Sequence, residues 1–174
     1  MDAALKETLI GWAQEYNDPK YFTEDPIIFP KHFAGRYDVG EASLQDIEIA
    51  AVLASHLAWG RRSMIVRDCG RMLDEMCWHP YDYIMNGEYR DENASMHRTI
   101  KWSEFAAICE RLRNLYTEHG SLEGLSDAQI RVQVFGQKED RKAPNKKISM
   151  MRRWLVRDDG KVDLGVWKKS EKSG

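Results

Sequence analysis

SLQDIEIAAVLASHLAWG, residues 43–60, is the stretch that decides the fold. Ser43 and Asp46 have the spacing of a capping box, which predicts the start of a helix, and Gly60 marks its end. Nearly every position between them is apolar or small, and the alanines allow neighbouring helices to approach closely. The stretch therefore predicts a central, buried helix around which the rest of the chain packs.

The whole chain has the size and composition of one globular domain. It has 174 residues and a mass of 20.2 kDa, with 43% hydrophobic and 31% charged residues, which are ordinary values for a folded domain. No apolar run approaches the roughly 20 residues that a membrane-spanning helix needs. The first residues carry acids where a secretion signal has a basic start, so we expect a cytoplasmic protein without a membrane partner.

The cysteines and histidines predict no metal site. Cys69, Cys77 and Cys109 are isolated, odd in number and without a C-x-x-C spacing, which favours reduced, buried thiols over a disulfide framework. The five histidines form no H-x-x-x-H or H-E-x-x-H pair. His56, in the apolar central helix, is interpreted as a hydrogen-bonded core residue. Glycine-rich phosphate loops are absent from the sequence, so we expect no metal and no cofactor.

Helical periodicity along most of the chain predicts an all-α fold, a helical bundle in one domain over residues 1–174. Three parts are expected: an N-terminal helix and proline-rich connector (1–42), a helical core (43–130) and a basic segment with a candidate hairpin helix (131–174).

The expected elements follow from spacing, capping residues and prolines. Helices are predicted over residues 3–16, about 63–78, 103–119 with Ser103 as the cap, and from 145 to about 157. Residues 18–42 are expected to be an ordered connector that packs on the core without forming a helix, and residues 86–97 a loop. Two alternatives remain for residues 126–135: a short helix, or a strand at VQVF (132–135).

The end of the chain is basic although the net charge of the protein is −2. Residues 131–174 contain 13 lysines and arginines against 6 acids, interleaved with Phe135 and Trp154. This pattern is compatible with a face that contacts phosphates. A solvated helix face explains the charge equally well.

Lys146 and Lys147 lie at the predicted start of the last helix. The positive end of the helix dipole and the neighbouring ammonium both favour the neutral amine, which a Schiff-base nucleophile requires. Most Lys-Lys pairs are ordinary surface groups, so both a catalytic role and a surface role remain as alternatives for Lys146 and Lys147.

Four long strings occur in an order that resembles the DUF2400 family. They are YNDPKYFTEDPIIFPKHF (16–33), DIEIAAVLASHLAWGRR (46–62), MHRTIKWSEF (96–105) and NKKISMMRRWLVRDDGKVDLGVW (145–167). The family looks like a divergent branch of the helix-hairpin-helix DNA glycosylases, all-helical enzymes that extrude a damaged base and cleave its N-glycosidic bond. By that resemblance, Lys146 is the lysine that attacks C1′ of the sugar.

The sequence departs from the superfamily at two points. PNKK (144–147) stands where a hairpin of the L-P-G-V-G type is expected. The segment that would follow residue 167 and carry a catalytic aspartate is missing. We therefore expect a truncated or split protein, a proteolytic fragment or a form without catalysis, and a partner chain that supplies the segment is a further alternative.

The resemblance implies an enzyme that binds DNA, with RNA as a possible second partner. The expected phosphate-binding residues are Arg61, Arg62, Lys142, Lys147, Arg152 and Arg153, and Trp59 and Trp154 are candidates for the base pocket. A core position is the simpler interpretation for both tryptophans, because they lie among apolar helix positions. The alternatives are a nucleic-acid-binding module without catalysis and a fragment that needs a partner to complete its fold.

Overall fold

The structure, a computed structural model, describes residues 3–4, 25–139, 145–156 and 164–168. The chain is mostly helical in these ranges, so the predicted all-α class is confirmed. The helices are α1 (Ile28–Asp38), α2 (Leu44–Leu57), α3 (Arg62–Glu75), α4 (Pro80–Asn86), α5 (Trp102–Glu118), α6 (Asp127–Gln133) and α7 (Lys146–Val156), and a hairpin is formed by β1 (Ser95–His97) and β2 (Ile100–Lys101). No helix in the described ranges has the length and apolar character to cross a membrane.

Helix α2 is the centre of the bundle, as predicted. The Ser43 side chain accepts a hydrogen bond from the Asp46 amide, and the Asp46 carboxylate accepts one from the Ser43 amide, which completes the capping box. The helix packs against α1, α3, α4 and α7. It ends at Leu57, three residues before the predicted end, and this difference decides where Trp59 lies.

The prediction that residues 18–42 contain no helix is wrong, because α1 occupies part of them. Pro30 lies in the first turn of α1, where a backbone amide has no intrahelical partner, so its ring costs the helix no hydrogen bond. Phe29 and Phe33 are buried, so the expected packing on the core is confirmed. The predicted helix over 3–16 lies outside the described residues except for Ala3 and Ala4, which are helical.

Smaller differences concern turns and caps. The N-cap of α5 is Lys101 and not Ser103. Residues 127–133 form α6 behind a Ser126 capping box, so the helical alternative for this stretch is correct. The loop expected over 86–97 ends in β1. The two strands are too short for their sequence to show the alternation of apolar and polar residues that predicts a strand. Cys69 and Cys109 are buried as expected, whereas Cys77 is exposed.

The segment 164–168 is fixed to the core through Glu48. The amide of Trp167 donates to the Leu155 carbonyl over 2.8 Å, and its indole Nε1 donates to Glu48 over 2.7 Å. The buried Glu48 carboxyl also accepts hydrogen bonds from Tyr116, Ser121 and the Leu122 amide. Glu48 therefore joins α2, α5 and the end of the chain.

Candidate nucleic-acid interface

Two clefts meet at the start of α7. The first has a volume of about 610 Å³ and the second about 520 Å³. Ala58, Asn145, Lys146 and Met150 line both. The clefts therefore lie on either side of the contact between the loop after α2 and the first turns of α7.

Lys146 is the first residue of α7, and its side chain is exposed at the junction of the two clefts. Asn145 precedes it and stabilises the helix start, since its side-chain oxygen accepts from the Ile148 amide at 3.4 Å. The Asn145 amide also donates to Gln137 over 2.8 Å. The predicted helix start is confirmed, and Lys146 faces the cleft mouth.

Lys147 has a different environment from its neighbour. It is half-buried, with Nζ 3.2 Å from His56 Nδ1 and 4.2 Å from the centre of the Phe135 ring. Burial lowers the pKa of Lys147 to about 8, and the positive charge of Arg131 adds to the effect. The sequence predicts a lowered pKa from the helix start and the adjacent ammonium, whereas the main cause in the fold is burial of Lys147.

His56 lies beneath Lys147 and is stacked on Phe135, with ring centres 5.7 Å apart. Burial lowers the pKa of His56 to about 3, with contributions from the charges of Lys147 and His97. The ring is therefore neutral near pH 7, and Nδ1 accepts the hydrogen bond from Lys147. Its hydrogen is then on Nε2, which is buried without a hydrogen-bond partner among the described residues.

The two candidate base-pocket tryptophans lie in different environments. Trp154 is 2% exposed and belongs to the core, although it forms part of the wall of the first cleft. Trp59 is 41% exposed and lines the second cleft, with the Arg98 guanidinium 4.0 Å from its ring centre. A core position is thus correct for Trp154 and wrong for Trp59, because α2 ends before Trp59.

A buried pair of side chains supports the Trp59 loop. The Nδ1 atom of His97 is 2.6 Å from Asp68 Oδ2, and Nε2 is 3.2 Å from the Trp59 carbonyl oxygen. Burial acts to raise the pKa of Asp68, but hydrogen bonds from Arg67 and His97 outweigh it and lower that pKa. Both ring nitrogens of His97 thus lie within hydrogen-bond distance of an oxygen, which ties β1 to α3 and to the loop after α2.

Asp68 and His97 are not among the residues predicted from the sequence. An acid at Asp68, on the same helix face as the apolar residues Ile65 and Met72, was an available signal for it. The partner of that acid comes from β1, which the sequence did not predict.

Of the other predicted phosphate-binding residues that the structure describes, only two line a cleft. Arg62 and Arg153 line the first cleft with Lys146, and Arg61 is the exposed N-cap residue of α3. Arg152 is not among the cleft residues, because its side chain contacts Asp127, the Leu125 carbonyl and the Trp167 ring. Lys142 lies outside the described residues.

Cations outnumber acids on the walls of both clefts. Arg62, Arg153, Lys146, Lys147 and Arg131 are basic, and Asp25 is the one acid among the described residues that line them. Nowhere in the described ranges do three or more His, Cys, Asp or Glu side chains form a group that could hold a metal ion.

These observations define a helical protein with a cationic cleft at a helix start. The chain belongs to the DUF2400 family, described as proteins of unknown function, whose model matches residues 25–134 and 126–174. The comparisons find no matching curated protein and no matching solved structure.

Proposed function

We propose that this protein binds nucleic acid along the two clefts at the start of α7, and that DNA is its main partner. The observation that carries the proposal is that two cation-lined clefts meet at Lys146: Arg62 and Arg153 line the first cleft, and the exposed Trp59 ring lines the second. Cations supply affinity for the phosphate backbone, and an exposed aromatic ring supplies a surface on which a base can stack. The proposed place of action is the cytoplasm.

The proposal extends to a reaction of the helix-hairpin-helix DNA glycosylase type. An extruded nucleotide would enter the cleft, and a lysine amine at the start of α7 would attack C1′ of the sugar. The C1′–N bond to the base breaks as the C1′–Nζ bond forms, and the base leaves with the electron pair and takes up a proton. The resemblance assigns the amine to Lys146, which is exposed at the junction of the clefts.

A nucleic-acid-binding module without catalysis is the second candidate. Asp25 is the acid on the described cleft walls, and its carboxylate accepts a hydrogen bond from the Ile27 amide at 3.0 Å. That carboxylate is already engaged in the turn before α1. The described cleft walls therefore carry several cations. Their one carboxylate already accepts a backbone hydrogen bond, so the described walls offer no other acid to stabilise a developing positive charge on the sugar.

The test is the salt dependence of DNA binding, measured by fluorescence anisotropy on a labelled duplex. Each lost phosphate contact should reduce the slope of log K against log salt by roughly 0.9, so Arg62→Gln/Arg153→Gln should reduce it by about 2. Arg36→Gln, on α1 and away from both clefts, is the matched control and should leave the slope unchanged. A flat salt response of the wild type would overturn the proposal.

Base release from duplexes that carry damaged bases separates the two candidates. Release of a free base by the wild type supports the enzyme. Salt-dependent binding without release from any lesion supports the module.

A further inference from the structure

We propose that Lys147, and not Lys146, is the reactive amine of this cleft, and that it binds aldehydes carrying a phosphate group by forming an imine. The inference deepens the proposed function, since the open-chain sugar of an abasic site in DNA is such an aldehyde. A small phosphorylated aldehyde has the same chemistry. The inference can therefore hold even where the protein does not act on DNA.

The surroundings of Nζ support this assignment. The amine lies at the wall of the second cleft, held by the hydrogen bond to His56 Nδ1 and by the face of Phe135. These contacts come from α2 and from the turn after α6, so three separate parts of the chain fix one amine. Lys146, one residue earlier, is exposed. A fixed position reduces the entropy that an amine loses when it reacts.

The protonation state of the site favours attack by Lys147. With a pKa of about 8, about a tenth of the amine is neutral at pH 7, roughly two orders of magnitude more than for an ordinary lysine. His56, with a pKa of about 3, is neutral and accepts a hydrogen bond from the amine without competing for its proton. Neutral amines are the nucleophiles that form imines.

The charge of the second cleft indicates the class of aldehyde. Lys146 and Arg131 lie on its wall, and the neutral polar side chains of Gln137 and Asn145 lie there as well. Two cations beside a reactive amine favour a ligand with a phosphate or a similar anionic group. The volume of about 520 Å³ suits a small molecule or a single extruded nucleotide.

The reaction needs no oxidant or further reactant. The lone pair of the neutral amine attacks the carbonyl carbon, a C–N bond forms, and the π electrons of the carbonyl move to its oxygen. A proton passes from nitrogen to that oxygen through water and gives a carbinolamine. Loss of one water molecule then leaves the imine.

The first experiment uses pyridoxal 5′-phosphate as the probe, at a concentration below that of the protein. After reduction with sodium borohydride, the modified residue is located by peptide mass mapping on the wild-type chain. We expect the label at Lys147 and at least tenfold less labelling in Lys147→Met than in the matched control Lys168→Met, which replaces an exposed lysine outside both clefts. Pyridoxal without the phosphate should label Lys147 more weakly. Label on Lys146, or spread over surface lysines, would overturn the inference.

Because wild-type mapping locates the label directly, the result does not depend on whether Lys147→Met folds. A second arm replaces the probe with a duplex that contains an abasic site. Trapping of this duplex at Lys147 supports both the inference and the proposed function. A pyridoxal phosphate adduct at Lys147 without trapping of DNA supports the inference and counts against the proposed reaction on DNA. Trapping of DNA at Lys146 supports the proposed function and overturns the inference.

Discussion

His97 Nδ1 lies 2.6 Å from the carboxylate of Asp68, and both side chains are almost completely buried. The opposite ring nitrogen of His97 donates to the carbonyl of Trp59. The hydrogen-bonded pair thereby fixes the loop that carries the exposed Trp59 ring. Gly60 follows in this loop with a φ of +100°, and a Cβ atom there would collide with the Arg98 guanidinium.

Loss of the Asp68 carboxylate should destabilise the fold strongly. Asp68→Ala leaves the buried Nδ1 of His97 without its hydrogen-bond partner, which costs about 1–3 kcal/mol in the free energy of unfolding. Urea denaturation measures this cost. Glu110→Gln, an exposed acid on α5, is the control and should change stability by less than about 0.5 kcal/mol. Equal stabilities of the two variants would show that the pair does not hold the loop.

Stability should depend on pH through His56. The pKa of His56 is about 3 in the folded chain and 6.5 ordinarily, so between these values the unfolded chain binds the extra proton. The contribution of the neutral His56 ring to the free energy of unfolding is fully present above pH 6.5 and is lost as the pH falls toward 3. Between pH 7 and pH 4, the wild type should lose on the order of 3 kcal/mol more than His56→Gln.

Urea denaturation at a series of pH values gives these two curves. His119→Gln, an exposed histidine in the described fold, should follow the wild type. Parallel curves for the wild type and His56→Gln would contradict the assignment of a neutral, buried ring.

Trp167 should contribute to stability through its indole N–H. Trp167→Phe keeps an aromatic ring in the core but removes the hydrogen bond to Glu48. The expected loss is about 1–2 kcal/mol in the free energy of unfolding. Glu48→Leu should cost more, because it leaves Tyr116, Ser121 and the Leu122 amide without their acceptor as well. The reverse order of the two variants would contradict the anchoring role of Glu48.

Trp59 should matter for binding and little for folding. Trp59→Ala removes a stacking surface, which is worth about 1–3 kcal/mol per base, and with it the contact to Arg98, worth about 0.5–1 kcal/mol. Anisotropy with single-stranded DNA should show at least a several-fold weaker affinity. Trp78→Ala removes another exposed tryptophan outside both clefts and should bind as the wild type does. If both variants bind DNA equally, Trp59 is not a stacking platform.

Local signals were sufficient to predict the central helix and the last helix. Ser43 and Asp46 specify a cap without help from the rest of the chain, and the apolar spacing of Ile148, Met151 and Leu155 specifies the buried face of α7. Helix α1 was missed because proline was interpreted as a helix breaker, although in a first turn it breaks no hydrogen bond.

The difference between Lys146 and Lys147 could not be obtained from the sequence. Adjacent helix positions point about 100° apart, and which of them is buried depends on His56 and Phe135, which come from distant parts of the chain. Glu48 is an acid inside an apolar helix, and it is not among the residues predicted from the sequence. Its partners in α5 and at Trp167 are known only once the chain is folded.

Hydrogen exchange with and without a DNA duplex tests the central claim most directly. If the cleft at the start of α7 is the binding site, DNA should slow amide exchange in the loop 58–61 and in residues 145–150. The surface of α1 should exchange at an unchanged rate and serves as the internal control. Protection of α1 alone, or no protection under conditions where anisotropy shows binding, would contradict the account.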